Sequence, residues 1–138
     1  MELKNYELIQ YVNELKKYSD KKYPAKISYA IIKNFNIFSN ELKNYNDCLA
    51  KIMESYKDHF VKDDFGNVTM SQNGIPVVQD EYMEPFIGEI NQLLGESVTI
   101  DRYTISPDCF DYDDRGIYDV MTVNEMGILS EILCEEYV

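Results

Sequence analysis

Five aspartates, Asp108, Asp111, Asp113, Asp114 and Asp119, fall within twelve residues and are interleaved with Phe110, Tyr112, Ile117 and Tyr118. Carboxylates at that density form charge-assisted hydrogen bonds with Arg and Lys, and the large side chains between them anchor a contact, so the run reads as a protein interface. The candidate partner-binding set is Asp108, Phe110, Asp111, Tyr112, Asp113, Asp114, Tyr118 and Asp119. Carboxylates spaced along a surface also imitate phosphates, which recur about every 1.7 Å of duplex axis. The competing reading is a solvated acidic loop that serves solubility.

Other residue types with chemistry lead nowhere specific. Asp111, Asp113 and Gly116 match the first, third and sixth positions of a calcium loop, but Arg115 stands at the fifth and Thr122 replaces the bidentate Glu. Asp64-Phe65-Gly66 spells a kinase magnesium motif without the glycine-rich loop that goes with it, and reads as a turn. His59, the single histidine, has no nucleophile motif near it and reads as a helix-end residue favoured by the dipole. Cys48, Cys109 and Cys134 are odd in number and widely spaced, which fits free thiols in a reducing cytoplasm. No catalytic residue, metal site or cofactor is expected.

Charge narrows the partners. Residues 1–62 hold all eleven lysines against eight carboxylates, while residues 63–138 hold seventeen carboxylates against Arg102 and Arg115, and the whole chain sums to −12. Such a surface repels nucleic acid and anionic lipid, so direct nucleic-acid and membrane binding are not expected and a basic protein surface is. The lysine cluster Lys16, Lys17, Lys21, Lys22 and Lys26 is read as balancing the acidic half, within one chain or across a homodimer. No apolar run approaches the ~20 residues of a membrane span.

The elements that position these residues follow from periodicity. Leu3, Leu8, Val12 and Leu15 predict a short first helix over 3–19, broken by Lys21-Lys22-Tyr23-Pro24. Ile31, Phe35, Phe38, Leu42, Tyr45, Leu49, Ile52 and Tyr56 then recur at alternating steps of four and three, predicting a helix from about 25 to 61. At 1.5 Å per residue it would be about 55 Å long, more than the diameter of roughly 37 Å of a compact domain of this size. Either it kinks near Asn34, Asn36, Ser39 and Asn40, or these eight residues form an oligomer seam. Val68-Thr69-Met70 and Ile75-Pro76-Val77-Val78 around Asn73-Gly74 predict a β-hairpin. Residues 80–94 predict a third helix capped by Asp80, Ser97 to Ile105 a strand, and Thr122 with Glu125 a capping box opening the last helix. No internal repeat is apparent.

Three stretches carry a resemblance: Pro24, Lys26, Ser28 and Tyr29 at the entry to the long helix, Lys62-Asp63 with Gly66-Asn67 at its exit, and Phe86 to Ile100. Their order resembles an uncharacterised family of small proteins encoded by phages and prophages of Gram-positive bacteria. The resemblance covers about residues 6–105 and implies phage origin and expression in a bacterial cytoplasm, without an activity to carry over.

The expected fold is therefore α+β in a single domain with one core: a helical hairpin with a long second helix, a small antiparallel β-hairpin or sheet, and two further C-terminal helices. The expected function is a non-enzymatic, phage-encoded acidic protein that inhibits a host nucleic-acid-handling defence enzyme, such as a CRISPR effector or another nuclease, by nucleic-acid mimicry. The alternative is a phage structural or assembly protein that oligomerises through the long helix.

Overall fold

The structure is a computed structural model that describes residues 1–135. Its order is β1 (Glu2–Lys4), α1 (Asn5–Tyr18), α2 (Ala25–Tyr56), α3 (Asp80–Leu94), β2 (Ser97–Thr99) and α4 (Val123–Leu133), with 3-10 turns at Lys57–His59 and Pro107–Phe110. The fold is α+β, and α2, at 32 residues, is the long second helix. Where one core was expected, the described residues form two, in two compact units: Met1–Leu42 with Ser97–Val138, and Lys43–Glu96.

In the first unit β1 and β2 pair antiparallel with Glu2 opposite Thr99, Leu3 opposite Val98 and Lys4 opposite Ser97. The strand predicted from Ser97 thus pairs with the chain's first residues and not with a hairpin. Leu8, Leu15, Ile27, Ile31, Phe38, Leu129, Ile132 and Leu133 are fully buried and bring α1, the first half of α2 and α4 around one core. Two polar side chains tie the extended segment after β2 to this core. Asn34, itself fully buried, donates from Nδ2 to the carbonyls of Ala30 and Tyr103, at 2.9 and 2.7 Å, and accepts from the Tyr103 amide at 2.9 Å. Arg102 donates to the carbonyls of Glu131, Ile132 and Cys134 at 2.7 to 2.8 Å, satisfying the end of α4 where no helical donor remains. The start of α4 is the predicted capping box: the Glu125 amide donates to Thr122 Oγ1 at 3.1 Å and the Thr122 amide to Glu125 Oε1.

The second unit contains a feature that no apolar period marks in the sequence. Segments at Phe60–Lys62, Val68–Met70 and Pro76–Val78 are joined by three antiparallel bridges, Lys62 with Val68, Met70 with Pro76 and Phe60 with Val78. The amides form a closed cycle: Thr69 donates to the Val61 carbonyl, Val77 to Thr69, and Val61 to Val77, at 2.8 to 2.9 Å. The predicted hairpin is therefore two sides of a triangle.

Its corners repeat with a period of eight residues. Asp63 N–H donates to Asn67 O and Ser71 N–H to Ile75 O, both at 2.8 Å, while Gly66 N–H meets Asp63 O and Gly74 N–H meets Ser71 O, both at 3.0 Å. Asp63 Oδ1 accepts the Asn67 amide, as Ser71 Oγ accepts that of Ile75. Gly66 and Gly74 have φ of 81° and 75°, which L side chains adopt only at a cost. Pro76 is tolerated because the cycle takes its donors from the alternate residues Val61, Thr69 and Val77. Val78, Phe86 and Ile90 form the second core, with Leu49, Ile52 and Tyr56 from α2 packed against it. The amino-terminal cap of α3 is Gln79, and Asp80, expected as the cap, is its first residue.

Candidate functional site: the acidic loop

The segment 107–121 opens with Pro107–Phe110, where the Asp108 amide donates to Ser106 Oγ at 3.3 Å. It turns sharply at Arg115 and Gly116, with φ of 51° and 72°. Two carboxylates build that turn, since Asp113 Oδ1 accepts the Arg115 amide at 3.0 Å and Asp114 Oδ1 accepts the Gly116 amide at 2.9 Å. Asp119 fastens the far end. Its carboxylate accepts the Lys22 amide and its own amide donates to the Lys22 carbonyl, both at 2.7 Å. The lysine-rich junction thus meets the acidic loop through its backbone, whereas the ion pairs Lys17–Glu14 and Lys57–Glu54 each join residues three apart.

Of the expected partner-binding residues, Asp108, Asp111, Asp113 and Asp119 are exposed and Asp114 is half-buried. The aromatic anchors differ from expectation. Phe110 is buried at 5% exposure in the first core, because the turn at Pro107 points the chain back toward it. Tyr112 and Tyr118 are half-buried and stack edge to face at 6.2 Å, with Tyr112 also against Tyr23. The Tyr112 hydroxyl donates to the Asp119 carbonyl, and burial, then the Asp119 and Asp114 carboxylates, push its pKa above the usual tyrosine value. These tyrosines hold the loop in shape.

The apolar side chains that face outward beside these aspartates are aliphatic. Ile117, Val120 and Val123 are 63%, 71% and 88% exposed within seven consecutive residues. Val123 had a legible signal: the Thr122 capping box makes it the first residue of α4, before the helix has turned any face inward. Ile117 and Val120 had none, since isolated apolar residues in a loop follow no period. Beneath the loop lies a cavity of about 250 Å³ lined by Phe110, Tyr112, Met121, Met126 and Val120 together with Asp111 and Asp114.

Elsewhere, a larger cavity of about 520 Å³ in the first unit borders Glu7, Asp101, Glu131 and Arg102. Several of its polar groups are engaged within the fold: Arg102 on α4, the Tyr11 hydroxyl on Glu131 Oε1 at 2.8 Å, and Glu7 Oε1 accepting from the Lys4 amide. His59 stacks on Tyr82 with ring centroids 3.7 Å apart. No group of His, Cys, Asp and Glu among the described residues is arranged to hold a metal ion. No helix among the described residues is long and apolar enough to cross a membrane.

The eight residues expected as an oligomer seam are buried or half-buried. Ile31, Phe35, Phe38 and Leu42 pack in the first core and Leu49, Ile52 and Tyr56 against the second, with Tyr45 9% exposed. Seven of the eight thus pack in or against the two cores within the chain.

Comparison of the chain with family models, with curated proteins and with solved structures finds no match.

Proposed function

We propose that this chain is a non-enzymatic interaction protein whose acidic loop covers a basic surface of a partner protein. Within that reading the partner is a bacterial nucleic-acid-handling defence enzyme, a CRISPR effector or another nuclease, and the protein is a phage-encoded inhibitor that occupies the channel meant for nucleic acid. The observation that carries it is the pairing of exposed Asp108, Asp111, Asp113 and Asp119 with exposed Ile117 and Val120 on one short, internally braced loop, and with exposed Val123 at the start of α4. Charge of that density accelerates encounter with a basic channel, and exposed aliphatic groups give the complex a contact that salt does not screen. Bracing by Asp113, Asp114 and Asp119 lowers the entropy lost on binding. The assembly alternative is less well supported, because the seam it requires is packed within the chain.

The test is inhibition of DNA binding and cleavage by a panel of purified RNA-guided and other bacterial nucleases. The wild-type protein is compared with a variant carrying Asp111→Asn, Asp113→Asn and Asp114→Asn. Asn keeps a side-chain carbonyl for the turn amides, so the loop retains its shape while three charges are lost. The expected result is inhibition of at least one nuclease, with an association rate reduced about tenfold or more in the variant and less salt-dependent than wild type. Equal inhibition by both proteins, or none by either across the panel, would sink the reading.

A further inference from the structure

We infer that the cavity under the acidic loop is a socket for one arginine or lysine side chain presented by a partner protein, a conclusion that rests on the interface reading above. At about 250 Å³ it falls below the usual 300–1,000 Å³ of small-molecule sites, so its natural occupant is a single side chain. Its lining is apolar at buried Phe110 and Met121, half-buried Met126 and exposed Val120, with Tyr112 beside them. Asp111 and Asp114 supply the carboxylates among its lining residues. A long basic side chain matches that composition, since its methylene stem covers apolar surface while its charged head meets carboxylates.

The chain's own base does not fill this role. Arg115 is exposed at the turn and is not among the lining residues. Asp114 is held by its bond from the Gly116 amide, which fixes the carboxylate without neutralising it. Ile117 and Val123, three residues to either side of Val120 in the chain, are also exposed apolar side chains. The partner segment that fits therefore carries a basic residue flanked by apolar ones, and a uniformly cationic surface fits less well.

Three synthetic peptides test this by fluorescence anisotropy: one with a central arginine between leucines, one with citrulline replacing the arginine, and one with serines replacing the leucines. The expected order is tightest binding by the first, with the citrulline peptide weaker by about tenfold or more, the loss of a charge-assisted hydrogen bond. The serine peptide is expected to bind several-fold more weakly and to lose binding at high salt. Val120→Ser and Asp111→Asn each weaken the first peptide, and both positions are exposed enough to leave folding intact, as circular dichroism would verify. Equal binding by the arginine and citrulline peptides overturns the socket while leaving the acidic-surface reading to its nuclease assay. Absence of binding by all three at millimolar concentration also overturns it.

Discussion

Asn34 shows how a residue's type can be legible and its role hidden. In the sequence it is a weak helix former, one of four at the expected kink of the long helix. In the structure it is fully buried, and the same amide serves the Tyr103 N–H, the Tyr103 carbonyl and the Ala30 carbonyl. A helix side chain here takes the place of a neighbouring strand for the extended segment after β2. Asn34→Ala would strand a donor and an acceptor of Tyr103, each costing about 1–3 kcal/mol when left unpaired away from water. The expected loss is about 2–4 kcal/mol in urea unfolding, with Tyr103 and Ile105 amides exchanging faster with solvent. A loss below about 0.5 kcal/mol, the level of an ordinary surface change, would show that water replaces the amide. The acidic loop divides similarly: its aspartates were legible from composition, but which of them brace turns depends on backbone geometry that composition does not carry.

At the scale of elements, periodic signals were legible and non-periodic ones were not. α1, α2, α3 and α4 follow from apolar spacing and a capping box, because a helix buries one face and writes that face into the sequence. β1 is not legible because a three-residue strand is too short to show alternation. The triangle at 60–78 is not legible because its eight-residue period is carried by turn chemistry, with Asp63 matching Ser71 and Gly66 matching Gly74, while its apolar residues vary. If the corners are equivalent, Gly66→Ala and Gly74→Ala should destabilise by similar amounts, about 1–2 kcal/mol, the cost of a left-handed L-residue. A Cβ at either position meets nothing within 4 Å, so the cost is one of backbone conformation alone. Gly88 and Gly127 lie in helices with equally open surroundings, and alanine there should stabilise by about 0.5–1 kcal/mol. Thermal melts of the four variants would check both signs; a destabilising Gly88→Ala would mean that the site is more crowded than the fold indicates.

For the whole molecule, the charge split along the sequence dissolves in the fold. The first unit combines seven lysines and both arginines with fifteen Asp and Glu residues, the second four lysines with ten, so each carries −6. Neither unit is the basic half that the linear reading expected, and repulsion is shared evenly between them. What the chain holds in excess besides carboxylate is tyrosine, twelve in all. Burial pushes the pKa of Tyr11, Tyr18, Tyr23, Tyr45 and Tyr112 above the usual value, and nearby carboxylates add to it at Tyr11, Tyr18, Tyr23 and Tyr112. The folded state thus favours the protonated phenol, while an unfolded chain ionises it at about pH 10. The stabilisation is complete below that pH and is lost as pH rises through the raised folded values. In a chain already at −12, each phenolate also adds to the repulsion. Tyrosinate absorbance at 295 nm should therefore include a late component from these five rings, which ionise only at higher pH as the chain unfolds, with urea stability level from pH 8 to about 10 and falling beyond it. A single transition near pH 10 with stability unchanged would show that these rings reach solvent without unfolding, and that the first core is looser around Tyr18 and Tyr23 than their 8% and 5% exposure implies.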